Sequence, residues 1–341
     1  MTNWKKAGLT ALAGSLVATS AFAGAVTVSG SANLTYAANS GAQDNAGKSA
    51  DETDKGNDGN RWGMNRTLSF SGSGELDNGW TVSVSQGLAS GAVSGASMTV
   101  DMGDMGSINY ESSTSARGMG KIKDMMPTAD EDVGNGLDSD GTGTAGGLSG
   151  TVSGGVTGFH YSNSLSDMVE IGLGYEPKGS STNAQGGVSG NGAGASSVSG
   201  FIKIDPMDGL EIGYGVGEAK TSTAGDNSQT DDHSTAYISY VYGPLTIAYQ
   251  TSTIDTYSTT ADDESTRWGV LYAVNDEMSI SYHDHVSDDD TVATDEEVTG
   301  WSASYTVGSM TFKAHRNHGD NLTNAANMES EHTEVGVTFA F

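Results

Sequence analysis

The chain has no cysteine, only four prolines, and 15 lysines and arginines against 43 aspartates and glutamates. Without cysteine there is no disulfide framework, no thiolate metal centre and no thiol nucleophile. With so little proline, the 49 glycines do not belong to a Pro-Gly linker. The formal net charge of −28 repels phosphate backbones, so nucleic acid is excluded as a partner, while cations are attracted. Catalytic signatures are missing as well: there is no G-x-S-x-G elbow and no H-E-x-x-H pair. Gly213-x-Gly215-x-Gly217 lies inside an alternating run, where a need for small side chains explains it better than a phosphate loop does. Long apolar runs are also absent after the first residues. Mean hydropathy is −0.36. That average does not separate a soluble protein from a transmembrane barrel, because a barrel strand alternates apolar and polar positions.

What is present begins with an export signal. Lys5 and Lys6 precede an apolar stretch from Ala7 to Ala18, and Ala21-Phe22-Ala23 forms a small-residue cleavage site. Residues 1–23 are therefore expected to be a signal peptide, and 24–341 a single domain. The apolar stretch is shorter than the roughly 20 residues a spanning helix needs.

Period-two alternation fills the remainder. Ala25–Ala37 opens the series, and Thr67–Leu76 and Trp80–Leu88 flank Asp77-Asn78-Gly79, a strong hairpin signal. Met98–Met102 and Ser107–Glu111 flank a second tight turn. Five further hairpins follow: Val156–Ser162 with Val169–Tyr175, Val198–Ile204 with Leu210–Val216, Thr235–Tyr242 with Leu245–Thr251, Arg267–Val274 with Met278–His285, and Val298–Val307 with Met310–Asn317. Glu331–Phe341 closes the list. One opening strand, seven hairpins and one closing strand predict sixteen strands, with short turns at one end and eight longer loops at the other. Lipid offers no hydrogen-bond partners, so such a sheet has to close on itself. Sixteen strands then enclose an aqueous channel. Tyr36, Tyr175, Tyr214 and Tyr249 fall near one membrane boundary of this scheme, and Tyr242, Tyr272, Tyr305 and Phe341 near the other.

This pattern of export signal, strand–turn rhythm, outsized third loop (about 112–155) and terminal Val337-x-Phe339-x-Phe341 resembles the trimeric, 16-stranded general porins of Gram-negative bacteria. The resemblance covers essentially the whole mature chain. It implies an all-β, antiparallel up-and-down transmembrane barrel whose third loop folds inward and narrows a water-filled pore. It implies passive diffusion of small hydrophilic solutes and ions across the outer membrane, without catalysis or a cofactor. It also implies a homotrimer, contact with outer-membrane lipid and lipopolysaccharide, and recognition of Val337, Phe339 and Phe341 by the barrel-assembly machinery. The alternatives are a substrate-selective channel of the same architecture and a secreted acidic β-sandwich or adhesin.

Candidate site residues follow from strand parity and from the resemblance. The third loop carries Asp124, Asp130, Glu131, Asp132, Asp138 and Asp140, which if turned inward would favour cations. Parity turns Lys203, Arg267 and Lys313 toward the lumen, since Ile202, Ile204, Trp268 and Phe312 point to lipid. These three lie at different heights along their strands, so a compact basic wall opposite the loop is not expected. Arg66 and Arg316 have outward parity and are expected to reach anionic headgroups. His283 and His285 share a strand face and are weak metal candidates without an evident third ligand. Acidic loops could collect Ca²⁺ or Mg²⁺ loosely.

Overall fold

The computed structural model describes residues 26–40, 61–111, 117–131, 133–137, 158–177, 196–220, 230–257, 262–289, 294–322, 326 and 328–341. The expected signal peptide, together with Asp132, Asp138 and Asp140, lies outside them. Sixteen strands run β1 (Thr27–Ser40), β2 (Trp62–Glu75), β3 (Thr81–Ala89), β4 (Ala92–Asp101), β5 (Ser107–Glu111), β6 (Gly158–Ser166), β7 (Val169–Glu176) and β8 (Ser197–Met207). They continue as β9 (Leu210–Lys220), β10 (Thr230–Tyr242), β11 (Leu245–Asp255), β12 (Asp262–Ala273), β13 (Met278–Asp289), β14 (Glu296–Val307), β15 (Met310–Asp320) and β16 (Ser330–Ala340). Each pairs antiparallel with its sequence neighbour, and β1 pairs with β16, which closes the barrel.

Burial is inverted relative to a soluble fold. Leu173 and Tyr214 are 55% and 52% exposed, whereas Thr235 and Gln250 are each 1% exposed. A water-soluble sandwich would bury the first pair and leave the second wet. Along every strand the apolar positions form an outer belt, and the opposite parity carries Ser, Thr, Gly, Asn and His toward the interior. An exposed apolar belt of this extent needs lipid around it. Tyr242, Tyr272, Tyr305 and Phe341 are all exposed on that outer face toward the short-turn end.

The closing β1–β16 ladder ends at the last residue. The Phe341 amide donates to the Gly30 carbonyl and the Gly30 amide donates to the Phe341 carbonyl, both at 3.0 Å. Gly30 is glycine for want of space: a Cβ there would lie 2.6 Å from the Thr67 carbonyl oxygen and 2.8 Å from the Phe341 ring.

Several strands run longer than the sequence reading has them, β10 starting at Thr230 and β12 at Asp262 among them, and two differences concern the first loops. The connection between β3 and β4 is not a longer loop but a two-residue turn at Ser90-Gly91, with φ of 49° and 89°. Positive φ at both central residues matches the right-handed strand twist, as hairpin turns require. Accordingly β4 starts at Ala92 and not at Met98. The small residues Ser94, Gly95 and Ala96 hide that stretch, because a bulge beside Gln86 and Gly87 breaks the alternation there. Similarly, β2 begins at Trp62, whose ring meets Tyr36 edge-on across the β1–β2 pair.

Candidate functional site: the third loop and the barrel wall

The third connection at this end of the barrel, between β5 and β6, is described from 117 to 131 and from 133 to 137. Its residues lie against side chains of interior parity, from β6 round to β16. Arg117 anchors its root. This buried guanidinium donates to Glu176 at 3.0 Å and to the Glu111 carbonyl at 3.1 Å, and Glu176 also accepts from the Ser197 hydroxyl. Removing one partner of a buried pair strands the other charge, so root and wall hold together as a unit.

A 3-10 turn at Gly118–Ile122 follows. The Gly118 amide donates to Nδ1 of His160 at 3.1 Å, which makes that nitrogen an acceptor. Two wall glycines permit this approach: a Cβ on Gly174 would sit 2.6 Å from the Gly118 nitrogen, and one on Gly215 would sit 2.8 Å from Cβ of Met119. The glycine-rich run of β9 is thus a seat for the loop. Ile122 then packs on Phe201 and Tyr237, with Met125 beside them.

Gln250 of β11 grips the next stretch. Its amide nitrogen donates to the carbonyls of Ile122 and Lys123 at 2.8 and 3.1 Å and to the Thr235 hydroxyl at 2.8 Å. Its oxygen accepts from the Met125 amide at 2.9 Å. Beyond it the wall alternates ionic and neutral holds. Arg267 pairs with Asp124 at 2.9 Å, and Nε2 of His283 donates to the Pro127 carbonyl at 2.6 Å. The hydroxyls of Ser281 and Ser302 accept from the amides of Ala129 and Asp130, both at 3.1 Å. Lys313 reaches Asp130 at 2.6 Å and Nδ1 of His315 reaches it at 3.1 Å. Asn317 donates to the Asn135 carbonyl, and Leu137 joins Val298, Leu322 and Met328 in a small apolar cluster.

Most of the sequence candidates are therefore placed. Asp124 and Asp130 meet two of the expected wall cations, Arg267 and Lys313, on the wall behind the loop. Lys203 meets none of the described loop residues in an ion pair; it pairs with Glu170 at 2.7 Å and lies 3.9 Å from Glu211. Glu131 stays exposed and accepts from Asn135 at 2.7 Å. Arg316 has the expected outward parity but donates twice to Glu331 at 2.9 Å, so its side chain is held by a protein carboxylate. His283 is committed to Pro127, His285 is buried beside Arg267 in the strand register, and no group of three or more metal-ligating side chains occurs among the described residues. Sequence reasoning missed Arg117–Glu176, His160, Gln250, Ser281 and Ser302. Their signal was long or hydroxyl side chains at lumen parity beside exposed aromatics, as in Tyr249-Gln250.

A family profile described as Gram-negative porin matches residues 8–341. The chain belongs to the Gram-negative porin family. Solved structures agree on the fold. An anion-selective porin from Comamonas acidovorans is 13% identical with a TM-score of 0.64, covering 93% of this chain and 99% of that one. OmpF of Salmonella typhi, in complex with daunomycin, is 13% identical at 0.63, covering 93% and 97%. OmpT of Vibrio cholerae is 12% identical at 0.62, covering 93% and 97%. None of the curated proteins matches the chain. The porin is thus an outer-membrane channel for passive diffusion and not an enzyme.

In this porin Asp130 carries a pH consequence. Burial, the largest single influence, would raise its pKa, but the hydrogen bonds and charges of His315 and Lys313 together hold it below the ordinary 3.8. A native value below the unfolded one contributes stability that is complete above the ordinary carboxylate range and is lost as pH falls through the native value. Open-channel current noise should therefore grow as pH falls below the ordinary carboxylate value of 3.8. Lys313→Met should move that onset upward; an onset that does not move would show that Lys313 does not hold Asp130.

Proposed function

We propose that this porin conducts small hydrophilic solutes and ions through the space between the third loop and the lumen face of β1–β5, with a preference for cations. The observation that supports this reading is the chain of contacts from His160 to Asn317, which holds residues 117–131 and 133–137 of the loop against the wall outside β1–β5. The preference for cations does not come from Asp124 or Asp130, whose charges are matched by Arg267 and Lys313. It rests on the exposed Glu131, on Glu334 of β16, and on a chain whose acidic residues outnumber its basic ones nearly threefold. Asp132, Asp138 and Asp140 would add to it from the same loop. Reversal potentials in a KCl gradient across a planar bilayer test the reading. Glu131→Gln should weaken cation selectivity, and an unchanged potential would remove Glu131 from the conduction path.

Assembly belongs to the same reading. Residues 1–23 direct export and are cleaved, three copies associate, and lipopolysaccharide surrounds the trimer. Acidic external loops gather Ca²⁺ or Mg²⁺ loosely. Val337, Phe339 and Phe341 present the assembly machinery with an aromatic edge. Deleting Phe341 removes that signal and two closure hydrogen bonds together. The yield of heat-modifiable trimer in outer-membrane fractions should fall severalfold, and wild-type yield would contradict both roles.

A further inference from the structure

His160, His283 and His315 each hydrogen-bond the third loop, and they do not hold it alike. Nε2 of His283 and Nδ1 of His315 donate, to the Pro127 carbonyl and the Asp130 carboxylate. His160 works in the opposite sense: its Nδ1 accepts from the Gly118 amide at 3.1 Å. An imidazole accepts only while it is neutral, and here the proton must then be on Nε2. An imidazolium carries a donor at both nitrogens. Acid therefore leaves His283 and His315 their donors and takes from His160 the lone pair that Gly118 uses. His160 is 8% exposed and Gly118 is buried, so lumen water does not stand between them.

We propose that His160 is the positioning residue of the loop root, holding Gly118 only as a neutral, Nε2-protonated imidazole, and that acid frees the root while the tip stays seated. The packing gives Gly118 little room to turn to another acceptor. Its φ is 49°, and a Cβ on it would run into Oγ of Ser199 and lie 2.9 Å from the Gly174 nitrogen. The Ser199 hydroxyl already accepts from the Met119 amide at 3.3 Å, and the Phe201 ring stacks on the imidazole at 6.3 Å. The charged groups around the ring are Lys121 and Arg117 of the loop, Glu111 of β5, and Glu170 and Glu176 of β7. Glu176 is taken up by Arg117 and Ser197, and Glu170 by Lys203. A proton on His160 sets two N–H groups face to face in a buried site and adds a positive charge beside two loop cations. Repulsion then acts on the very segment the ring had held. Gln250, Arg267 and Lys313 keep the later residues against the wall, so the current fluctuates instead of losing the loop altogether.

The inference rests on the reading that the loop borders the conduction path, and two readouts separate them. Hydrogen exchange of residues 117–122 in the purified porin, corrected for its intrinsic pH dependence, reports whether the root is seated. Single-channel current in KCl reports what its release does. Both are measured at about pH 7 and about pH 4.5, a window in which imidazoles take up a proton. The window closes above 3.8, where the Asp130 response begins. Wild-type exchange and current noise should each rise about tenfold across it. Exchange that does not accelerate overturns the proposal without the use of any variant. His160→Asn places an acceptor oxygen where Nδ1 stood and cannot be protonated there, so it should stay slow in exchange and quiet at both pH values. His160→Leu offers no acceptor and should exchange fast and record noisily at both. An asparagine variant with the wild-type acid response, or a leucine variant seated as firmly as wild type, overturns the role of His160. Exchange that accelerates in acid while the current stays quiet would instead overturn the reading of the conduction path.

Discussion

Gln250→Leu is expected to give a porin that folds normally but carries a larger and visibly noisier open-channel current. Leucine nearly conserves the volume, so the wall keeps its shape. What disappears is the set of three hydrogen bonds that ties Ile122, Lys123 and Met125 to β11, together with the one to the Thr235 hydroxyl on β10. A stranded buried backbone group costs about 1–3 kcal/mol, and three lie within four residues of each other, although the terms do not simply add. The barrel itself has no part in this loss, because its strand ladder runs through backbone groups that the side chain never touches. Water of the lumen is close at hand to satisfy the freed groups, so the loop gains an alternative to its seat and exchanges between the two. Single-channel recording measures both amplitude and noise, and heat-modifiable gel migration reports folding. Gln250→Glu should not restore the quiet channel, since a carboxylate would face the Ile122 and Lys123 carbonyls without a proton to offer. Recordings indistinguishable from wild type would mean that the remaining contacts hold the loop without Gln250.

That prediction rests on a residue the sequence pointed to only indirectly, and the reason is instructive. Strand positions are legible because a barrel in lipid imposes one rule on every residue: alternate side chains face hydrocarbon or water. Trp268 beside Arg267 and Phe312 beside Lys313 therefore reveal which way each cation points, and both orientations hold in the structure. The same rule falters where a bulge shifts the count, which is why Ala92–Ser97 could pass for loop. Loop residues obey no such rule. Whether Asp124 faces open lumen or a guanidinium depends on where residues some 140 positions later stand in the barrel, and nothing local encodes that distance. The glycines show both sides of this. Their small size at lumen parity was readable, but that Gly174 and Gly215 are small to admit Gly118 and Met119 became visible only with the loop in place.

Neutralising Arg267 and Lys313 together, as Arg267→Gln with Lys313→Gln, should raise the cation-to-anion permeability ratio more than any change of the loop acids lowers it. The carboxylates of Asp124 and Asp130 are now offset charge for charge, so the pairs contribute little net field to a passing ion. Removing the two cations unmasks both. A unit charge about 8 Å from an ion is worth about 0.5 kcal/mol in water, and screening at physiological salt cuts this to about 0.2. The term acts with opposite sign on cation and anion, so two unmasked charges give about a fourfold change in the ratio. At 10 mM salt the screening length exceeds the barrel radius, and the change should exceed about tenfold. His315 still donates to Asp130, which helps that carboxylate stay ionised despite its burial. Reversal potentials at both salt concentrations measure the effect, and the salt dependence distinguishes a local field from a displaced loop, whose geometric effect on conductance would persist at high salt. Equal reversal potentials in variant and wild type would place both ion pairs out of reach of the permeating ions, and the narrow passage would then have to lie elsewhere in the barrel.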